Sequence, residues 1–82
     1  MTTPKQVCVK WLDACSIDKW YDKETIEKEK IFKPIIVLNT GFLILNNEER
    51  VVLGTSYRAD SRLFQYIFVI PKTSVQEIKE IK

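Results

Sequence analysis

The longest apolar stretch of the chain lies in residues 35–45, where Ile, Val, Leu and Phe dominate. Side chains of these types suit a pleated, half-buried surface. The stretch is apolar on both faces, so periodicity alone does not separate a strand from a buried helix. Pro34 disfavours helical geometry at the residue before it, and Gly41 in mid-stretch would weaken a helix but suits a bulge. The pattern therefore predicts a long β-strand.

A polar turn over residues 46–49 and a short return strand over residues 50–53 follow this strand. Asn tolerates the positive φ that tight hairpin loops often require. A strand that is apolar on both faces must be covered on both, or must bend so that its halves join different layers. Gly41 permits the bend, which predicts a small barrel closed by a curled strand. The alternative is a flat strand buried between copies of the chain.

The segment before the hairpin contains one strand and a long charged connection. Residues 6–14 alternate, and the more apolar face is predicted to point inward. That face consists of Val7, Val9 and Trp11. Residues 16–33 connect the two strands. Within them, residues 22–30 form either a short helix capped by Asp22 or an extended loop.

The segment after the hairpin contains a surface turn over residues 58–61 and a fourth strand over residues 63–70. Residues 71–74 form a tight turn, since proline cannot continue a central strand. Residues 75–82 fit either a helix or an edge strand. We favour the strand, because charged side chains protect an exposed sheet edge.

The composition is that of one small folded domain spanning residues 1–82. Ile, Val, Leu and Phe supply 27 of the 82 residues, which excludes a disordered chain. A core of this size gives only a few kcal/mol of net stability, so a β-rich chain gains from association. We predict an all-β fold with at most one short helix, and a homo-oligomer.

Charge and residue types exclude several functions. The formal net charge is +2, which is not the strongly basic balance of a duplex-binding domain. Histidine, the commonest metal ligand and general base, is absent. Cys8 and Cys15 are predicted to be free thiols. The sequence lacks an apolar signal core or transmembrane run, so we predict a cytoplasmic protein without metal, cofactor or membrane contact.

The layout resembles the SH3-like barrel, in which an Ile-Pro turn of one helical wind leads into the closing fifth strand. The matching segment is residues 70–75, followed by Ile78. The hairpin over residues 41–53 resembles the strand pair of Sm-type barrels, which form rings. The acidic and proline-binding residues of SH3 domains and the uridine-binding motifs of Sm proteins have no clear counterparts. The resemblance implies a small SH3-like or Sm-like barrel of about five strands, without a ligand.

Short motifs at residues 11–14, 40–43 and 70–72 also resemble small bacteriophage proteins. This resemblance implies a phage accessory or counter-defence protein in the cytoplasm of a bacterial host cell. No glycine-rich phosphate loop, Cys-x-x-Cys pair or nucleophile elbow is present, so we predict that the protein is not an enzyme.

All three arginines lie within residues 50–62, whereas every other basic residue is a lysine. The guanidinium is a planar fork suited to phosphate, and an aromatic ring can stack under a base. The candidate ligand-binding residues are Arg50, Tyr57, Arg58, Arg62 and Tyr66. The alternative is that the loop arginines are only solvated and that Arg50 pairs with a glutamate of the turn.

Trp20 and Tyr21 are adjacent aromatic residues in the charged connection. They form either a recognition surface or, for Trp20, a lid over an open barrel end. A chain this small has little room for a private pocket, so the leading hypothesis is capture of a nucleotide-like ligand between subunits. The alternative is a protein-interaction module that docks on a host or viral protein through this pair. A second alternative is a barrel that binds single-stranded nucleic acid.

Overall fold

The computed structural model describes residues 3–14, 16, 19–28 and 33–81. Within them the chain forms five strands, one short helix and a single 3-10 turn. In chain order these are β1 (Gln6–Asp13), α1 (Lys23–Lys28), β2 (Ile35–Asn46), β3 (Arg50–Arg58), β4 (Leu63–Pro71), the 3-10 turn (Lys72–Ser74) and β5 (Val75–Glu80). The all-β class with one short helix, predicted from the sequence, is confirmed.

The five strands form one antiparallel sheet in the order β4-β3-β2-β1-β5. The central strand β2 pairs with β1 over residues 35–42 and with β3 over residues 42–46. Phe42 is the residue shared by both ladders, since it lies opposite a residue of each neighbour. The strand therefore changes partner directly after Gly41, at the position where the sequence predicts a bend.

The sheet curls, because aromatic rings from non-adjacent strands meet on its inner face. β1 and β4 are separated by two other strands, which in a flat sheet would place them roughly 14 Å apart. The rings of Trp11 on β1 and Phe68 on β4 have centroids only 5.8 Å apart. Strands β4 and β5 remain the two edges of the sheet in its described part. Closure of the curled sheet into a barrel stays a prediction.

The core lies on the inner face of the curled sheet. It is built from one cluster of buried side chains, namely Val7, Val9, Trp11, Val51, Leu53 and Ile70. The predicted inward face of β1 is therefore confirmed. Side chains from β2 and β5 pack against this cluster and are themselves half-buried, namely Val37, Leu43, Val75 and Ile78.

The β2–β3 turn lies where the sequence predicts it, but Asn46 and Asn47 do not adopt the positive φ expected of a tight hairpin loop. The side-chain oxygen of Asn47 accepts hydrogen bonds from the backbone N–H groups of Glu49 and Arg50, each at 2.9 Å, which closes the β2–β3 turn. The tail forms strand β5, which pairs with β1, so the strand interpretation is confirmed and the helix excluded. The choice between helix and strand, which local periodicity leaves open, is thus made by pairing with β1.

Strand β3 is longer than the sequence predicts. The sequence pattern predicts that the return strand ends at residue 53, whereas the strand continues to Arg58. The reason is a cross-strand ladder: residues 56–58 pair with residues 63–65 of β4. The connecting turn is correspondingly short, and it is closed by a hydrogen bond of 2.7 Å from the backbone N–H of Arg62 to the carbonyl of Arg58.

The charged connection contains the short helix α1, and the capping residue is the predicted one. A carboxylate oxygen of Asp22 accepts a hydrogen bond of 2.7 Å from the backbone N–H of Thr25. Hydrogen bonds from the side chain and backbone of Thr25 hold the pKa of Asp22 below its ordinary value. Glu24 and Lys28 form an exposed ion pair at 2.7 Å, at the i, i+4 spacing that supports a helix. No residue of α1 is buried, so local interactions stabilise it.

Candidate functional site

The far end of the β3–β4 hairpin, residues 55–66, carries four of the five candidate ligand-binding residues, and we call it the distal hairpin. It contains Tyr57, Arg58, Arg62 and Tyr66. Arg50 lies at the opposite end of the nine-residue strand β3, roughly 26 Å from Arg58 along an extended chain. Its guanidinium is 3.3 Å from the carboxylate of Glu49, the turn ion pair that was the alternative interpretation. The structure therefore separates Arg50 from the other arginines.

A surface depression of about 290 Å³ lies in the distal hairpin. Its lining combines a guanidinium, a hydroxyl, an amide and an apolar wall, contributed by Arg58, Ser56, Gln65, Leu63 and Phe64. Two of these are direct cross-strand neighbours, since Ser56 lies opposite Gln65 in the ladder. Hydrogen-bonding groups beside an apolar wall are the usual composition of a small-molecule site.

Arg58 is the charged group of this depression. Its guanidinium lies 3.4 Å from the carboxylate of Asp60, and both side chains are largely exposed. An exposed ion pair of this kind contributes little, typically about 0–1 kcal/mol. The guanidinium is therefore accessible to an incoming anion, which would compete with the single carboxylate of Asp60.

Tyr57 and Tyr66 differ in how much ring surface they offer. The ring of Tyr57 packs between two others, with centroids 4.9 Å from Phe64 and 5.9 Å from Phe42. It is half-buried and supports the wall of the depression. Tyr66, in contrast, exposes 69% of its surface. The predicted stacking role therefore fits Tyr66 better than Tyr57.

Backbone strain is located in the same hairpin. Among the described residues, the non-glycine residues with positive φ are Arg62 and Tyr66, each at 57°. The left-handed conformation costs an L-residue roughly 1–2 kcal/mol. At Tyr66 the carbonyl accepts a hydrogen bond of 3.2 Å from the hydroxyl of Thr55, which helps to hold this geometry. Strain of this kind clusters at ligand sites, so it favours a functional role for the distal hairpin.

Sequence reasoning missed four lining residues, namely Ser56, Leu63, Phe64 and Gln65. The correct length of strand β3 would have identified these residues. Had the strand been extended to Arg58, antiparallel pairing would have placed Leu63 directly opposite that arginine and the others beside it.

The aromatic pair before α1 lies apart from this hairpin in sequence, and Trp20 is fully exposed. A lid would have to be buried against the core, so the lid interpretation is wrong. Tyr21 exposes 38% of its surface. The interpretation as a recognition surface stays a prediction.

Other predicted features have mixed outcomes. Cys8 is a free, half-buried thiol, whereas Cys15 lies outside the described residues. In the part of the chain that the structure describes, no group of three or more His, Cys, Asp or Glu side chains is placed to hold a metal ion. None of the helices among those residues has the length and apolarity needed to cross a membrane.

Comparisons with known proteins identify no relative. No protein-family model matches the chain, and searches of curated proteins and of solved structures found no significant match. The resemblances to SH3-like and Sm-like barrels and to phage proteins therefore stay predictions, and function is argued from the site alone.

Proposed function

We propose that this chain is a non-catalytic binding protein that captures a small anionic, nucleotide-like ligand at the distal hairpin. The observation that carries the proposal is the lining of the depression, where Arg58 lies with Ser56 and Gln65. A guanidinium makes charge-assisted hydrogen bonds to phosphate. The hydroxyl and the amide are suited to the polar edge of a sugar or base.

Two other residues of the distal hairpin, Tyr66 and Arg62, do not line the depression, and they carry groups of the same chemistry. An aromatic face stacks under any base, and a further guanidinium adds to the attraction for an anion. The depression of about 290 Å³ is at the lower limit of ordinary ligand pockets, about 300–1,000 Å³. A second copy of the chain would enlarge it. The role as a phage accessory or counter-defence protein rests on the sequence resemblance alone.

Calorimetry with a panel of mono-, di- and cyclic nucleotides tests the proposal. Replacing Arg58 by alanine is expected to weaken binding by about 10- to 150-fold, since hydrogen bonds to charged groups contribute about 1.5–3 kcal/mol. The melting temperature should change little, because the Arg58 side chain is largely exposed and its one ion pair is weak.

Arg50→Ala is the matched control, since it removes an arginine from the other end of the same strand. It should leave the affinity nearly unchanged. No heat with any nucleotide, or an equal loss of affinity in both variants, would contradict capture at the distal hairpin. Binding that falls steeply with added salt and grows with oligonucleotide length would instead indicate single-stranded nucleic acid.

A second candidate function is docking on a host or viral protein through Trp20 and Tyr21. The full exposure of Trp20 favours it, because tryptophan is enriched among the residues that dominate protein interfaces. Absence of nucleotide binding would support this candidate, together with a partner that binds the wild-type protein and is lost with Trp20→Ala.

A further inference from the structure

Among the described strands, β4 is a long, apolar edge strand that pairs on one side only. It spans nine residues without one charged side chain. Five large apolar residues on it each expose between 40% and 69% of their surface, namely Leu63, Tyr66, Ile67, Phe68 and Val69. Exposed edges of this kind are templates for pairing with another strand.

The opposite edge of the same sheet is built differently. Strand β5 has only six residues, and three of them are charged, namely Glu77, Lys79 and Glu80. Short length and charged side chains are the devices by which natural sheets prevent edge-to-edge pairing. The chain thus protects one edge of the sheet and leaves the other apolar. This difference indicates that another strand pairs with β4.

We propose that β4 pairs antiparallel with β4 of a second copy, which joins the two sheets across a two-fold axis. The surface is self-complementary, as a two-fold interface requires. Since the strand has no charge, no register places like charges opposite each other. Pairing β4 head-to-tail with β5 would instead set an apolar edge against a charged one.

The exposed area suits a modest dimer. A paired stretch beyond Tyr66 contains three of the five residues, namely Ile67, Phe68 and Val69. Large side chains have full extents of about 150–250 Å², so the exposed fractions of these three sum to roughly 300 Å² per copy. Backbone groups and polar neighbours along the edge add to this. The total stays below the roughly 800 Å² per partner of a standard interface, so a weak association that dilution reverses is expected.

The left-handed φ of Tyr66 limits the register. It interrupts the extended edge, so regular pairing is expected beyond it, and the proposed register has its axis at Phe68. An axis at Phe68 places Ile67 of one copy opposite Val69 of the second copy. The pairing requires no ligand, and its test is carried out without one, so its failure and the failure of nucleotide capture are distinguishable.

The experiment is the molecular mass of the full chain in solution, by light scattering and by sedimentation over a range of concentrations. The wild-type protein is expected to have the mass of two copies, and Ile67→Lys that of one. Ile36→Lys is the matched control, since Ile36 is exposed to a similar degree, 57% against 52% for Ile67, but lies on β2 and not on β4. It should keep the mass of two copies.

A rescue variant tests the register. Adding Val69→Glu to Ile67→Lys places a lysine opposite a glutamate on both sides of the axis and should restore the mass of two copies. Failure to restore it overturns this register. A wild-type mass of one copy at every concentration, a closed ring or longer polymer, or an unchanged mass for Ile67→Lys overturns the dimer.

Circular dichroism serves as the control that each variant is folded. If Ile67→Lys unfolds, the dimer is tested with the wild-type protein alone, by its melting temperature over a range of concentrations. The melting temperature of a dimer that is coupled to folding rises with protein concentration. A melting temperature that is independent of concentration, with a mass of one copy, overturns the proposal.

Discussion

Replacing Ile70 by alanine is expected to lower the free energy of unfolding by about 2–5 kcal/mol, the usual cost of removing a buried isoleucine. Ile70 is fully buried and is the one residue of β4 in the core, where it packs in one cluster with residues of β1 and β3. The described part of the chain buries only seven apolar side chains. The loss is therefore comparable with the few kcal/mol of net stability expected of so small a core.

Urea unfolding followed by far-ultraviolet circular dichroism, at one fixed protein concentration, measures this loss. Ile36→Ala is the matched control, because it removes the same atoms from a side chain that is 57% exposed. It should cost less than about 1 kcal/mol. Equal losses in the two variants would show that Ile70 is no more buried than Ile36, which contradicts the core on the inner face of the sheet.

Much of the fold follows from local sequence patterns. Alternation in β1 identifies its buried face, and the amide side chain of Asn47 closes the predicted turn. Pro71 ends β4, and a single turn leads into β5. In each of these cases a few adjacent residues contain the whole signal, since side-chain alternation and turn chemistry are short-range properties.

The features that were missed depend on long-range pairing. The polar residues after Gly54 have no apolar alternation of their own, and they extend β3 because β4 pairs with them. That extension carries Arg58 to the far end of the hairpin and leaves Arg50 beside the β2–β3 turn. The three arginines are therefore close in sequence but not in space. Their proximity in sequence led to one residue too many, Arg50, among the candidate site residues.

The apolar pattern of β4 also predicts more burial than one chain provides. Of its residues, only Ile70 is buried. A strand at the centre of a sheet would have both neighbours to cover it, whereas β4 has only β3. The excess of apolar residues on this edge is the same observation that supports pairing with a second copy, so one physical argument connects the sequence pattern to the proposed assembly.

Replacing Gly41 by alanine is expected to destabilise the protein by about 1–3 kcal/mol, the usual cost of forcing an extra methyl group into a packed site. A Cβ atom at this position would lie 2.9 Å from the carbonyl oxygen of Gly54 and 3.3 Å from the Cβ of Leu53. The nearer atom belongs to the backbone, so rotation of a side chain does not relieve the overlap. Strands β2 and β3 would have to separate.

The sign of this effect is informative, because two terms oppose each other. Gly41 does not have a positive φ, so alanine suits its backbone conformation and would by itself gain about 0.5–1 kcal/mol over glycine in a strand. A net loss therefore means that the cost of the steric overlap exceeds this gain. Urea unfolding measures it, with Thr40→Ala as the control at the exposed neighbouring position. Equal or greater stability of Gly41→Ala would show that β2 does not approach β3 this closely, and the exchange of partners that curls the sheet would have to lie elsewhere.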